Sequence, residues 1–246
     1  AGTGKTILAA LIAQDEKYVD KKVLLLSKTR GLTQFLIVQL KKINPDKKFH
    51  NIAINNIDNF VQRVATKLEI PVNRPAQHMS EKEKQEHFDS YYPQMCKTMF
   101  EKHPEIKFDL VIVDEGQDYN KNWFHPFKSM TKEYGQLLIF YDPLQNTMED
   151  SKQSMSEILK NPIKAGFNSF PLTANYRNSS SISNFLAKLI KKYFPAELNY
   201  SEHANKSFPG RPPDLIEIKN FDELVEKTIN KVKKLMDDDK IKPKDI

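Results

Sequence analysis

A single cysteine, Cys96, excludes an internal disulfide framework, and the six histidines are scattered without the spacing of a zinc or iron site. That usage places the chain by default in a reducing, cytoplasmic compartment. Long apolar runs are also missing, so no segment is fit to span a bilayer as a helix and the opening residues do not resemble a secretion signal. Internal repeats and low-complexity tracts are absent. Neither sign of charge dominates: 38 Lys and Arg stand against 32 Asp and Glu, a formal net charge of +6 with pI near 9.1. That balance permits a nucleic-acid surface without demonstrating one. Hydrophobic residues make up 39% of the 246, enough for a real core and for one large or two modest domains.

What is there is concentrated in two stretches. FDLVIVDEGQD, Phe108 to Asp118, runs through the β-branched and leucine residues Leu110–Val113 and then turns abruptly to the carboxylates Asp114 and Glu115. Such a pattern predicts a strand buried on both faces with acid at its carboxyl end. AGTGKT, Ala1 to Thr6, matches the second half of a phosphate-binding loop, in which Lys5 and Thr6 would meet nucleotide phosphates and Mg²⁺. The two stretches complement each other. One holds a triphosphate; the other supplies a metal-binding carboxylate and a second carboxylate able to activate water. Together they predict an NTP hydrolase site.

Taken in order, the chain predicts alternating helices and strands. ILAALIAQDEKY continues the loop as a helix whose amides point at the phosphates, and Val23–Ser27 is an apolar strand. LTQFLIVQLKK reads as a helix, with Lys41, Lys42, Lys47 and Lys48 beyond it, either a solvated surface or a binding patch. Asn51–Ile54 is a short strand, and Ile57, Phe60, Val61 and Val64 recur at helical spacing. Residues 68–107, punctuated by Pro71, Pro75 and Pro93, form a small insertion with a helix start at Ser80 and Glu83. His78, His87 and Cys96 within it read as packing or surface residues, and Tyr91-Tyr92 as core more readily than as a base-stacking pair. A helix around Trp123–Met130 and a further strand, Gln136–Asp142, follow. Strands separated by helices predict a parallel α/β sheet with ligands at the strand carboxyl ends, where Ser27, Asp114 and Asp142 stand. Beyond a boundary near Asn168, strands at Phe170–Ala174 and in PDLIEIK alternate with helices containing Ile182–Ile190 and Val225–Met236. The phosphate loop's first glycine and its leading strand would precede Ala1, and the chain stops where another strand is expected, so a longer parent protein is expected.

In this order, AGTGKT, DEGQD, the YDPLQ of Tyr141–Gln145 and the LTANYR ending at Arg177 resemble the motif series of superfamily 1 helicases of the UvrD/Rep type. KVLLLSKTR and IKPKDI are similar to further segments of that family, so the resemblance covers nearly the whole chain. It implies a RecA-like P-loop NTPase domain over residues 1–168 and the start of a second RecA-like domain over 169–246. It also implies ATP and Mg²⁺ as cofactors. Gly2, Thr3, Gly4, Lys5 and Thr6 would cradle the phosphates, with Lys5 between the β and γ groups and Thr6 on the metal. Asp114 would hold the same metal and Glu115 would polarise the attacking water. Gln145 would sense the γ-phosphate, Tyr176 would stack on adenine, and Arg177 would act as an arginine finger from the second domain. Gln117 and Asp118 would tie the acidic strand to the next one. Two departures stand out: Asn146, Thr147 and Met148 replace DNA-stacking aromatics, and Lys28-Thr29-Arg30 suits phosphate better than base contact.

The resulting expectation is an ATP-dependent helicase or translocase moving on single-stranded DNA, with RNA not excluded and no membrane partner. A second reading is a nucleic-acid-stimulated ATPase switch in a defence or restriction assembly, gating a nuclease or other protein partner without processive unwinding. A third is a degenerate module that only binds nucleotide or protein.

Overall fold

The computed structural model describes residues 2–45, 49–73, 76, 78–142, 145, 154–159, 166–172, 174–193 and 208–243. Ala1, Lys47, Lys48, Pro75, Pro143, Leu144, Asn146–Met148, Thr173, residues 201–207 of the expected connection and the final 244–246 lie outside them. The described residues fall into two compact units, one reaching Asn178 and the other beginning at Ser179.

In the first unit the elements alternate as the hydrophobic pattern demands: α1 (Lys5–Ala13), β1 (Val23–Ser27), α2 (Arg30–Ile43), β2 (Ile52–Asn56), α3 (Ile57–Lys67), α4 (Glu81–Lys102), β3 (Phe108–Val113), α5 (Phe124–Ser129), β4 (Thr131–Ile139) and the short α6 (Ser156–Leu159). The strands form one parallel sheet in the order β2-β1-β3-β4. Alternate side chains go to opposite faces. Val23, Leu25, Leu110 and Ile112 pack with α1 and α2, whereas Leu24, Leu26, Val111 and Val113 pack with α3, α4 and α5. Both faces of the central strands are therefore covered, which is why β1 and the end of β3 are continuously apolar rather than alternating. This is the helix-flanked parallel α/β sheet expected from the sequence. Register sets the carboxyl rim: Ser27 pairs with Asn56 and Val113 with Ile139, so Asp114 and the residues after Ile139 emerge side by side.

Four elements differ from expectation. The stretch around Pro93 is a 22-residue helix, α4, with the proline inside it. Burial of Tyr92, Met95, Cys96, Met99 and Phe100 along one face outweighs the backbone bond that proline removes. Its start is as expected: Ser80 Oγ accepts from the Glu83 amide at 3.3 Å and Glu83 Oε2 from the Ser80 amide at 2.7 Å. Strand β4 begins earlier than Gln136 because Thr131 pairs with Phe108, and residues 132–135 bulge before the pairing resumes at Leu110 and Gln136. Gly135 permits this; a Cβ there would lie 3.0 Å from the carbonyl oxygens of both Phe108 and Asp109. Finally, the described residues of Phe170–Ala174 and of PDLIEIK are not in strands. Leu215, Ile216 and Ile218 stay exposed, because an apolar run becomes a stable strand only against a hydrogen-bonded neighbour.

The second unit contains α7 (Ser180–Tyr193) and α8 (Phe221–Asp237). Asn220 caps α8 by accepting from the Glu223 amide at 2.9 Å. The Ser180 amide donates to the Phe208 carbonyl at 3.0 Å, bringing the connection back to the start of α7.

Candidate functional site

The loop before α1 turns on two left-handed glycines, Gly2 at φ 82° and Gly4 at φ 80°. Gly4 is the N-cap of α1, no side chain caps the helix, and no acidic residue occupies its first turn. The first-turn amides and the positive end of the helix dipole are thus left for an anion. Behind α1, Ala9, Ala10 and Ala13 are fully buried, small enough to let the helix settle on the sheet. The loop is braced from the far end of the unit: Tyr176 donates its amide to the Gly2 carbonyl at 2.8 Å. A Cβ on Gly2 would come within 2.7 Å of Asn175 Oδ1 and 2.8 Å of Arg177 Cβ.

Across the rim, Asp114 is fully buried, and neither of its carboxylate oxygens completes a hydrogen bond among the described residues. Burial pushes its pKa up to about 6; the Glu115 charge adds to the rise, and the nearby Thr6 hydroxyl, the Glu115 amide and the Lys5 ammonium partly offset it. A buried carboxylate beside a threonine hydroxyl is an oxygen donor set that suits a hard divalent cation. Glu115 follows in the left-handed region at φ 53°, a conformation uncommon for a side chain of its size and one that turns it away from the strand axis.

Gln117 links the two strand ends. Buried at the rim, it donates Nε2 to Glu115 Oε2 at 2.6 Å and accepts the Asp142 amide on Oε1 at 2.9 Å. Its carbonyl accepts from Ser154 Oγ at 2.8 Å. Lys5 Nζ lies 3.5 Å from Asp142 Oδ2, with both side chains mostly buried. The loop lysine, the acid pair and the end of β4 are therefore gathered at one place on the sheet.

Of the residues singled out from sequence, Gly2, Thr3, Gly4, Lys5, Thr6, Asp114 and Glu115 occupy this rim. Gln145 is exposed, and its amide donates to the Asp142 carbonyl at 3.2 Å. Tyr176 and Arg177 lie in the first unit, beside Gly2, and both are exposed. Ser27 does not open into the site: its hydroxyl bonds to Thr33 Oγ1 at 2.7 Å and to the Thr29 carbonyl at 3.1 Å. Lys28 spreads over the Phe88 and Tyr119 rings at 4.9 and 5.3 Å. Tyr92 is buried and Tyr91 accepts from the Asn73 amide, so the pair belongs to the core. Asp142, expected from sequence at a ligand-bearing strand end but given no role there, proves to be the partner of Lys5. Asn175 was not singled out, and nothing local marks it.

With this geometry in view, the comparisons with known proteins are brief. No family model matches the chain, and no curated protein matches it. Among solved structures it is similar to Pif1 helicases. One structure shows two coordinating Pif1 helicases unwinding forked duplex DNA, at 16% identity, TM-score 0.28, with 65% of this chain and 32% of that chain covered. Another is Bacteroides Pif1 bound to single-stranded DNA, at 14% identity, TM-score 0.27, with 65% and 31% covered. The chain thus spans about a third of the length of either.

Proposed function

We propose that this chain carries the nucleotide site of an ATP-driven helicase or translocase, related to the superfamily 1 helicases of UvrD/Rep type, that moves on single-stranded DNA. The observation that carries the reading is the gathering at one rim of Lys5, in the first turn of an uncapped helix, and of the buried Asp114 carboxylate, which feels the Lys5 charge and stands beside the Thr6 hydroxyl. A triphosphate laid along Gly2–Thr6 takes its hydrogen bonds from the first-turn amides and its countercharge from Lys5. Asp114 and Thr6 would hold Mg²⁺, whose charge eases the build-up on the phosphate oxygens. Glu115, held by Gln117 at 2.6 Å, accepts the proton of the attacking water as its oxygen approaches the γ-phosphorus. Arg177, adjacent to the loop, supplies a cation to the equatorial oxygens in the transition state. Tyr176, exposed beside Gly2, would stack on adenine, and Gln145 would report the state of the γ-phosphate.

Glu115→Gln tests the assignment. It should leave ATP affinity within about twofold and lower turnover by about a hundredfold or more, the scale of a lost general base. Equal steady-state hydrolysis by both proteins removes Glu115 from its role. The non-aromatic Asn146-Thr147-Met148 favours a second outcome, a nucleic-acid-stimulated switch that hydrolyses ATP without separating strands. A fluorescent duplex-unwinding assay run beside DNA-stimulated hydrolysis separates the two.

A further inference from the structure

We propose that Asp142 is the resting counter-ion of Lys5 and a positioning residue for hydrolysis, giving up the lysine when a phosphate arrives. The inference rests on the nucleotide reading above and adds a residue to it. Lys5 Nζ and Asp142 Oδ2 stand 3.5 Å apart, with side-chain exposures of 13% and 9%. A lysine so enclosed needs a countercharge, and the Asp142 carboxylate supplies it. The same aspartate is wired to the rest of the rim through its backbone. Its amide is held by Gln117 Oε1 at 2.9 Å, and the other end of that amide group grips Glu115 at 2.6 Å. Its carbonyl accepts the Gln145 amide at 3.2 Å. Phosphate binding exchanges one ion pair for another, lysine–carboxylate for lysine–phosphate, and releases the Asp142 side chain. Because its main chain is tied to Gln117 on one side and Gln145 on the other, that release bears on both the water-activating carboxylate and the segment after β4.

Competition predicts an unusual split of effects. Asp142→Asn keeps size and hydrogen-bonding capacity but removes the competing charge. It should tighten binding of magnesium with a non-hydrolysable ATP analogue by about fivefold, the yield of one partly buried ion pair, while lowering kcat. AMP, which lacks the phosphates that meet Lys5, should bind unchanged. In a Lys5→Met background the tightening should vanish. Isothermal titration calorimetry on the full chain reads all of these. A merely structural aspartate would instead weaken analogue and AMP together, and that result overturns the proposal. For the wild type itself, a zero-length carbodiimide should link Lys5 to Asp142 in the nucleotide-free protein, and saturating analogue should suppress the link at least about fivefold. A link that saturating analogue leaves undiminished, or no link at all, overturns it whether or not the variant folds. Failure of the wild type to bind any triphosphate would instead bring down the nucleotide reading, and this inference with it.

Discussion

Asp114 illustrates the cost of assembling such a site before its ligand is present. Its pKa in the folded chain is about 6 against an ordinary value of 3.8, with burial as the main cause. Below about pH 4 the group is neutral folded or unfolded and contributes no penalty; as pH rises through about 6 the folded state must carry a buried charge and loses stability. Asp114→Asn should therefore stabilise the ligand-free protein by about 3 kcal/mol near pH 7.5 and by almost nothing near pH 4. Denaturant titrations at the two pH values check this. The same linkage makes cation binding pH-dependent: a Mg²⁺-induced rise in Tm in the wild type should appear as pH passes about 6 and be missing in the variant. At this scale the motif residues were legible because lysine, threonine and adjacent carboxylates have few other reasons to occur in those patterns. Asp142 and Asn175 were not, since their roles depend on which residue lies across the rim.

The turn after β3 shows how an element aims its side chains. Gly116 donates its amide to the Phe140 carbonyl at 2.7 Å, and a Cβ there would sit 2.5 Å from Ile139 Cγ2. Gly116→Ala should force β3 and β4 apart locally, costing about 1 to 3 kcal/mol and lowering turnover more than affinity, because Glu115 and Gln117 flank it. Urea unfolding and steady-state kinetics measure the two effects. At the start of α4, Ser80→Ala removes one arm of the capping box and should cost about 1 kcal/mol without touching hydrolysis. The strands of the central sheet were readable because burial on both faces leaves an unmistakable apolar run. The body of α4 was obscured by Pro93, whose usual effect as a helix breaker is overridden by its buried neighbours. The runs near Phe170 and Leu215 misled for the converse reason: they are apolar, but the described residues have no strand partner.

Across the whole molecule, charge is the property that bears on a polymeric partner. A net charge of +6 is modest, so the single-stranded DNA binding proposed above would have to come from a local arrangement of cations and be sensitive to screening. If DNA stimulates hydrolysis, the concentration for half-stimulation should rise steeply between about 50 and 200 mM salt, by tenfold or more for several phosphate contacts, while the KM for ATP shifts little. A flat response in a salt series of ATPase assays would separate hydrolysis from a DNA backbone. By itself, the chain's order of residues determined the parallel α/β class and set the glycine–lysine–threonine turn before α1 and the acid pair after β3, since these follow from local periodicity and from a few neighbouring positions. Only the tertiary structure decided that Asp142 pairs with Lys5, that Gln117 joins Glu115 to the end of β4, and that Asn175–Arg177 brace Gly2. Those contacts join residues far apart along the chain, and their partners are set by strand order and register, which no local pattern encodes.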